Sequence, residues 1–456
     1  MKDARSMDLS PGTLFSPRLL WQAWLDVEVA LARAQAELGM IPDWAADGIA
    51  AVADVDTLGL DTLEEEARRT RAPIHALTRV VAAHAGPAGD YVHWGATTQN
   101  VMQTGRLLLM RRAQAEIKGH LAGALDRLAE LAETHAETPM IGRTNRRHAL
   151  PISFGFKIAG WIEELARATD RLSTMEARVF VLPFGGAVGA MHAFDGQGRE
   201  VNRRMASRLG LGDLLVPGRA VNDLFADYIV HMALMATTVE RIAGELYTLM
   251  TEEIGEVAET LGAGVVGSST MPHKVNPKLV VRVIAMAADL RATAGPAMEG
   301  ALTINEGDAA ANHLIVRMLD RACPLVWKLA RSFEDLCTAV VPLPDRMAEN
   351  LVRSGAHSAS ERLMMRLAAD LGHLKAHDVL HDILATPGVD RDAIVTRVAA
   401  LPQLGGRLSV DDARDLLDPT TYLGESVRIA HEAAEMGRAL ADRLRTSVPV
   451  PETTTP

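Results

Sequence analysis

Apolar residues recur at intervals of three and four over long stretches of this chain. The stretch from Leu19 to Leu38, LLWQAWLDVEVALARAQAEL, is typical and rich in Ala and Leu, so it predicts an amphipathic helix. The same period predicts long helices over Val101 to His135, Ile152 to Arg178, Asn222 to Leu261, Val280 to Met298 and Ala310 to Val340. Leu224 to Met250 is apolar on more than one face, which predicts burial inside a central bundle or an oligomer core. Strand signals are few. VFVLPFGG, Val179 to Gly186, is the best of them. Leu384 to Gly406 is rich in turn formers, and the tail VPVPETTTP has the composition of a disordered segment.

Aromatic residues make up only 4% of the chain. Leu, Ala, Val and Met must therefore fill the core, which suits closely packed helices. The expected fold class is all-α: a long central helix bundle completed by oligomerisation, with small helical domains at each end. The expected division is residues 1–86, 87–340 and 341–456.

A net charge of −11 argues against a dedicated nucleic-acid binder, which carries a basic surface. Anionic ligands would need local positive groups. The two cysteines, Cys323 and Cys337, lack metal spacing and read as free thiols in a reducing compartment. The first residues lack the apolar core of a signal peptide, and no run approaches the roughly 20 apolar residues of a membrane span. A cytoplasmic protein is expected.

Three polar islands interrupt the long helices: HWGATTQN (His93 to Asn100), GRTNRRHALP (Gly142 to Pro151) and GSSTMPHKVNPK (Gly267 to Lys278). Each combines Gly with hydroxyl, amide or cationic groups ahead of a helix. Such a loop at a helix N-terminus binds anions, because free N–H groups and the helix dipole point at it. Three of them suit a substrate with two or more carboxylates. Read alone, the first is equally an N-capping connection with Thr97 or Thr98 as cap, and the second a basic surface turn. No metal-ligand spacing, GxGxxG or P-loop pattern occurs, so cofactor-free chemistry is expected.

These islands carry a family resemblance. GSSTMPHKVNPK resembles the long signature GSSxMPxKxNP of the aspartase/fumarase superfamily. HWGATTQN resembles its HxGATSQD segment, and GRTNRRHALPISFGFKIAGW its GRTxLQxAxPxTFGxKxAGW segment. The resemblance spans Leu14 to Ala369 and is strongest to the 3-carboxy-cis,cis-muconate cycloisomerase and adenylosuccinate lyase branches. It implies a homotetramer with active sites shared between subunits. It also implies addition or elimination next to a carboxylate, often releasing fumarate.

Removing a proton beside a carboxylate creates an aci-carboxylate dianion that needs hydrogen-bond donors and positive charge around it. The resemblance assigns Ser268 as the base. It places Thr97, Thr98, Gln99, Arg143, Thr144, Ser269, Met271, Lys274 and Asn276 around the substrate, with Gly264 and Gly267 as hinges. The chain departs from the pattern in the second island. Asn145 stands where many members carry a His that serves the leaving group, and Arg147 stands where they carry Gln. Arg219 and Asn222 mark a second departure, in PGRAVND. His148, about one turn beyond Asn145, is an alternative acid, or a helix-start residue with a structural hydrogen bond. Nitrite, a stable anion, could leave without an acid, with Arg146, Arg147 or Arg219 stabilising it. The expected function is elimination from a succinyl-type dicarboxylate, with an amine or nitrite (as in nitrosuccinate) leaving. Muconate-type lactonisation and a non-catalytic helical oligomer are the alternatives.

Overall fold

The computed structural model describes residues 7–260, 270–271, 274–353, 355–384, 391–404 and 406–446. Ser268, Ser269, Gly264, Gly267 and the tail from Val448 lie outside the described residues.

Five helices open the chain: α1 (Pro17–Ala36), α2 (Asp43–Val52), α3 (Val55–Leu58), α4 (Leu60–Thr70) and α5 (Pro73–Ala85). The body follows, with α6 (Thr98–Thr134), β1 (Pro139–Thr144), β2 (Arg147–Ser153), α7 (Phe154–Val179), α8 (Gly198–Leu209), α9 (Asp223–Leu249), β3 (Val257–Glu259), α10 (Leu279–Arg291), α11 (Ala294–Gly300) and α12 (Ala309–Ala339). The rest is β4 (Val340–Pro342), α13 (Pro344–Arg353), α14 (Ser360–Leu371), α15 (His373–Leu384), α16 (Arg391–Ala399), α17 (Val410–Leu416) and α18 (Ser426–Thr446). The fold is all-α, as the helical period predicts.

The long helices form one bundle. Residues at the start of α6 meet those just before α9 and on the first turn of α12, so these three run parallel. The chain returns through α7 and α10. α18 runs antiparallel to α6, with Arg438 paired to Glu133 and Arg445 to Asp126. The core is aliphatic, and it joins α1 through α12 with α18 in one continuous cluster. A second, separate core holds Leu363, Leu367, Val395 and Leu417 of α14, α16 and the turn after α17.

Four local expectations are corrected. VFVLPFGG is not a strand, because its backbone finds other partners. Phe180 and Leu182 bond Gly212, and buried Asn202 donates to the carbonyls of Leu182 and Phe184. The second island is a β-hairpin of β1 and β2, not a loop or a helix start. The turn-rich stretch contains α16, which buries Ile394, Val395 and Val398. The ninth helix also ends earlier than its period suggests, at Leu249, where the chain turns through Gly255 with φ 63°.

No described helix is long and apolar enough to cross a membrane. Cys323 and Cys337 are both free and buried.

Candidate active site

The first island lies at the N-terminus of α6. Thr97 is the N-cap residue with an extended backbone, yet its side chain makes no capping bond. Its hydroxyl is not spent on the helix. Thr98 is exposed beside it. Asn100 is fully buried: its amide donates to the Pro183 carbonyl at 2.9 Å and accepts from the Gly186 N–H at 2.9 Å. This fastens FGGAVGA, Phe184 to Ala190, onto the first turn of α6. FGGAVGA in turn carries the segment of Arg219. A Cβ at Gly185 or at Gly189 would lie 2.5 Å from the Pro217 carbonyl, so only glycine permits that approach.

A buried chain of amides ends on Arg219. Gln103 donates to Asn222 at 2.9 Å, Asn222 donates to Asn312 at 2.8 Å, and Asn312 donates to the Gln99 side-chain oxygen at 2.8 Å. That same oxygen accepts from Arg219 Nε at 3.0 Å, while the Gln99 amide donates to the Arg219 carbonyl at 2.8 Å. The guanidinium lies close over Gly307, where a Cβ would approach its Cζ to 3.3 Å. Arg219 is therefore held by Nε, and its two terminal nitrogens have no partner among the described residues. A guanidinium fixed in this way is a preformed fork for a planar oxyanion. Asn222 itself is fully buried and satisfied inside the chain of amides, so it supports the fork and has no open surface of its own. Gln103 and Asn312 were not singled out in the sequence. Both are ordinary amides at helical positions, and their partners lie 90 or more residues away.

The second island and the described end of the third, Lys274 to Lys278, lie at the opposite end of the bundle. β1 and β2 pair from Pro139–Ser153 to Thr144–Arg147. The two residues between them, Asn145 and Arg146, have φ of 50° and 62°. Positive φ at both central positions is the requirement of a two-residue type I′ turn, and Asn is favoured there. Thr144, Asn145, Arg146, Arg147 and His148 are all exposed around this tip. His148 is held below the ordinary imidazole value, first by its partial burial and then by Arg143, with Glu256 acting the other way. A ring biased to its neutral form is less often the imidazolium that a proton donor must be.

Arg143, at the base of the tip, is committed to buried Glu256 through both terminal nitrogens, at 2.9 and 2.7 Å. Asn350 donates to the same carboxylate at 2.8 Å. Three residues on, Glu259 accepts from the backbone N–H groups of Lys278, Leu279 and Val280 at 2.8, 3.0 and 2.7 Å. A side-chain carboxylate thus caps α10 and joins the two flanks of the third island. Both acids come from the single stretch TEEIGEVAE, Thr251 to Glu259. Within the island, the Lys274 N–H donates to the Met271 carbonyl at 3.0 Å, and Met271, Lys274 and Asn276 are exposed. Among the described residues no His, Cys, Asp and Glu group could hold a metal ion.

A family model described as lyase matches residues 12–290. The chain belongs to the aspartase/fumarase superfamily of lyases. Adenylosuccinate lyase of Methanothermobacter thermautotrophicus is 32% identical, with 92% of this chain and 95% of that protein aligned. Nitrosuccinate lyase of Streptomyces davaonensis is 33% identical over 90% of each. Among solved structures, the 3-carboxy-cis,cis-muconate lactonizing enzyme of Pseudomonas putida superposes with a TM-score of 0.83 at 29% identity, covering 94% of this chain and 97% of that one. The superfamily membership covers all three islands, and the relatives' differing activities converge on carboxylate-bearing substrates in their names.

Proposed function

We propose that the chain is a lyase that eliminates an amine or nitrite from a succinyl-type dicarboxylate and releases fumarate. The observation that carries this reading is the pinned Arg219 fork beside the uncapped hydroxyl of Thr97. Together they offer fixed donors to an oxyanion at the start of α6. On this reading Ser268 removes the proton, and Lys274, Asn276 and Ser269 grip the carboxylate on which charge develops. Thr144 and Arg147 complete the pocket at the hairpin tip, with Arg143 holding the hairpin in place.

Those groups reach one substrate only across subunits. α6 has 37 residues, which is about 55 Å of helix. The first island stands at its start and the hairpin follows its end, so one chain cannot bring them together. Superfamily members act as oligomers on small dicarboxylates, which supports a site completed by other copies. Unpartnered apolar side chains on α9 to α11 and the turn after them support it too: Leu234, Tyr247, Val281, Met298, Leu302 and Ile304 are all exposed in a single chain. A homotetramer is the proposed assembly, as the sequence reading expects.

The test is direct. Succinates bearing amine or nitro leaving groups are incubated with the protein while fumarate is followed by absorbance. Fumarate release that disappears in Ser268→Ala, with fumarate binding retained, supports the reading. Lactonisation of a carboxymuconate, without fumarate release from any succinate, would replace it.

A further inference from the structure

Glu28 lies on α1 and is 2% exposed. One of its oxygens contacts Nδ1 of His93 at 2.6 Å, and the other is buried with no hydrogen-bond partner among the described residues. His93 opens the first island. Its backbone is in the left-handed region, with φ 62°, a conformation that is uncommon outside glycine and costs on the order of 1–3 kcal/mol. The ring keeps 23% of its surface open, and its Nε2 has no partner among the described residues.

The arrangement has a direction. A buried carboxylate left with one partner is costly unless that partner donates to it. Glu28 therefore fixes the Nδ1–H tautomer and favours the imidazolium, whose second proton sits on Nε2. Burial opposes this, but the charge and hydrogen bond of Glu28 prevail and raise the ring above its ordinary value. Glu28 is the one charged group acting on it among the described residues. His148 is biased the opposite way. His93 also stands at the correct end of the bundle. Gln99, six residues on, holds Arg219, and Gly95, two residues on, packs against Gly186 of the loop tied to Asn100.

We propose that His93, oriented through Nδ1 by Glu28, gives its Nε2 proton to the departing group and fills the role that Asn145 cannot. This rests on the lyase reading above and narrows it to substrates whose leaving nitrogen is neutral before cleavage, such as an aryl amine. The base takes the proton beside the carboxylate, and its C–H electron pair becomes the new C=C bond. The bond to the leaving group breaks with its pair, and that pair takes the Nε2 proton. Fumarate and the free amine depart. The imidazole is left neutral, with Nδ1–H still on Glu28, and is reprotonated from water. Glu28 is a positioning residue and touches no substrate.

The experiment uses N-aryl aspartates, whose nitrogen is neutral, against N-alkyl aspartates, which already carry the proton, and 2-nitrosuccinate, whose leaving group is a stable anion. His93→Asn is the main variant: its amide keeps the position of Nδ1 and tolerates the left-handed backbone, and only Nε2 is lost. The expected result is a fall in kcat of roughly 100-fold or more for the N-aryl aspartates, with little change for the N-alkyl aspartates and nitrosuccinate. Glu28→Gln is expected to move the alkaline limb of the pH–kcat profile to lower pH. An equal loss in His93→Asn across the whole series, or none, overturns the proposal, as does an unmoved alkaline limb in Glu28→Gln. Wild-type protein that releases no fumarate from any of these succinates contradicts the lyase reading instead. Thermal melting of both variants separates folding defects from chemistry, and loss of kcat with unchanged melting supports the proton-donor role.

Discussion

Asn145 has two meanings at the scale of single residues. Its amide cannot do acid–base work at neutral pH, and that much is legible in the sequence. Its conformational reason is not, because the left-handed backbone at Asn145 and Arg146 appears only when β1 and β2 are seen to pair. Asn suits that backbone; Arg does not. Arg146→Gly is expected to stabilise the fold by about 1 kcal/mol, the order of the left-handed penalty for a side chain, with the hairpin register unchanged. Chemical denaturation of the variant checks it. Arg219 tells the reverse story. The sequence marks it as a departure from the superfamily pattern, but nothing local shows that it is immobilised. Gln99 and Asn312 are 213 residues apart, and spacing along the chain carries no information about such a pair. The same holds for Glu28 and His93, 65 residues apart: the first-island motif marks the His, but nothing local marks Glu28 as its partner.

At the scale of elements, the long helices were legible because each buries a stripe wide enough to impose a period on its sequence. The short strands were not. β1 and β2 are held by pairing with each other and by the Arg143–Glu256 contact, and their residues show little alternation. VFVLPFGG misled for the complementary reason: its apolar run is buried, but side chains and a single bridge satisfy its backbone. The start of α10 is read from the period to within one residue, at Val280, but its cap was hidden, because it comes from Glu259, about 20 residues upstream. Glu259→Ala removes a cap from three N–H groups and is expected to cost about 1–2 kcal/mol. It should lower kcat as well, since the two flanks of the Ser268 segment lose their tie. A variant with unaltered stability and turnover would show that the tie is dispensable.

At the scale of the whole molecule, the bundle separates groups that the proposed chemistry needs together. The Arg219 fork and Thr97 stand at one end, with the hairpin and the Glu259 tie at the other. The three islands are separate stretches of the chain, and the sequence alone gives no measure of how far apart α6 holds the first from the others. The separation makes a sharp prediction. Arg219→Ala and Ser268→Ala are each expected to be inactive alone. Co-refolded, they should recover a measurable fraction of wild-type turnover, because some sites in the mixed oligomers receive an intact copy of each group. If the mixture stays inactive while the oligomers form, both groups act from one chain.

The central claim is that this protein releases fumarate from a succinyl substrate by proton abstraction at Ser268. The most direct measurement is the fumarate absorbance of wild-type protein and Ser268→Ala on the same panel of amino- and nitro-substituted succinates. The account predicts a rise in fumarate with at least one substrate for the wild type, and none for a folded, fumarate-binding Ser268→Ala. Fumarate formation that survives in Ser268→Ala, or its absence from the whole panel with wild-type protein, would contradict it.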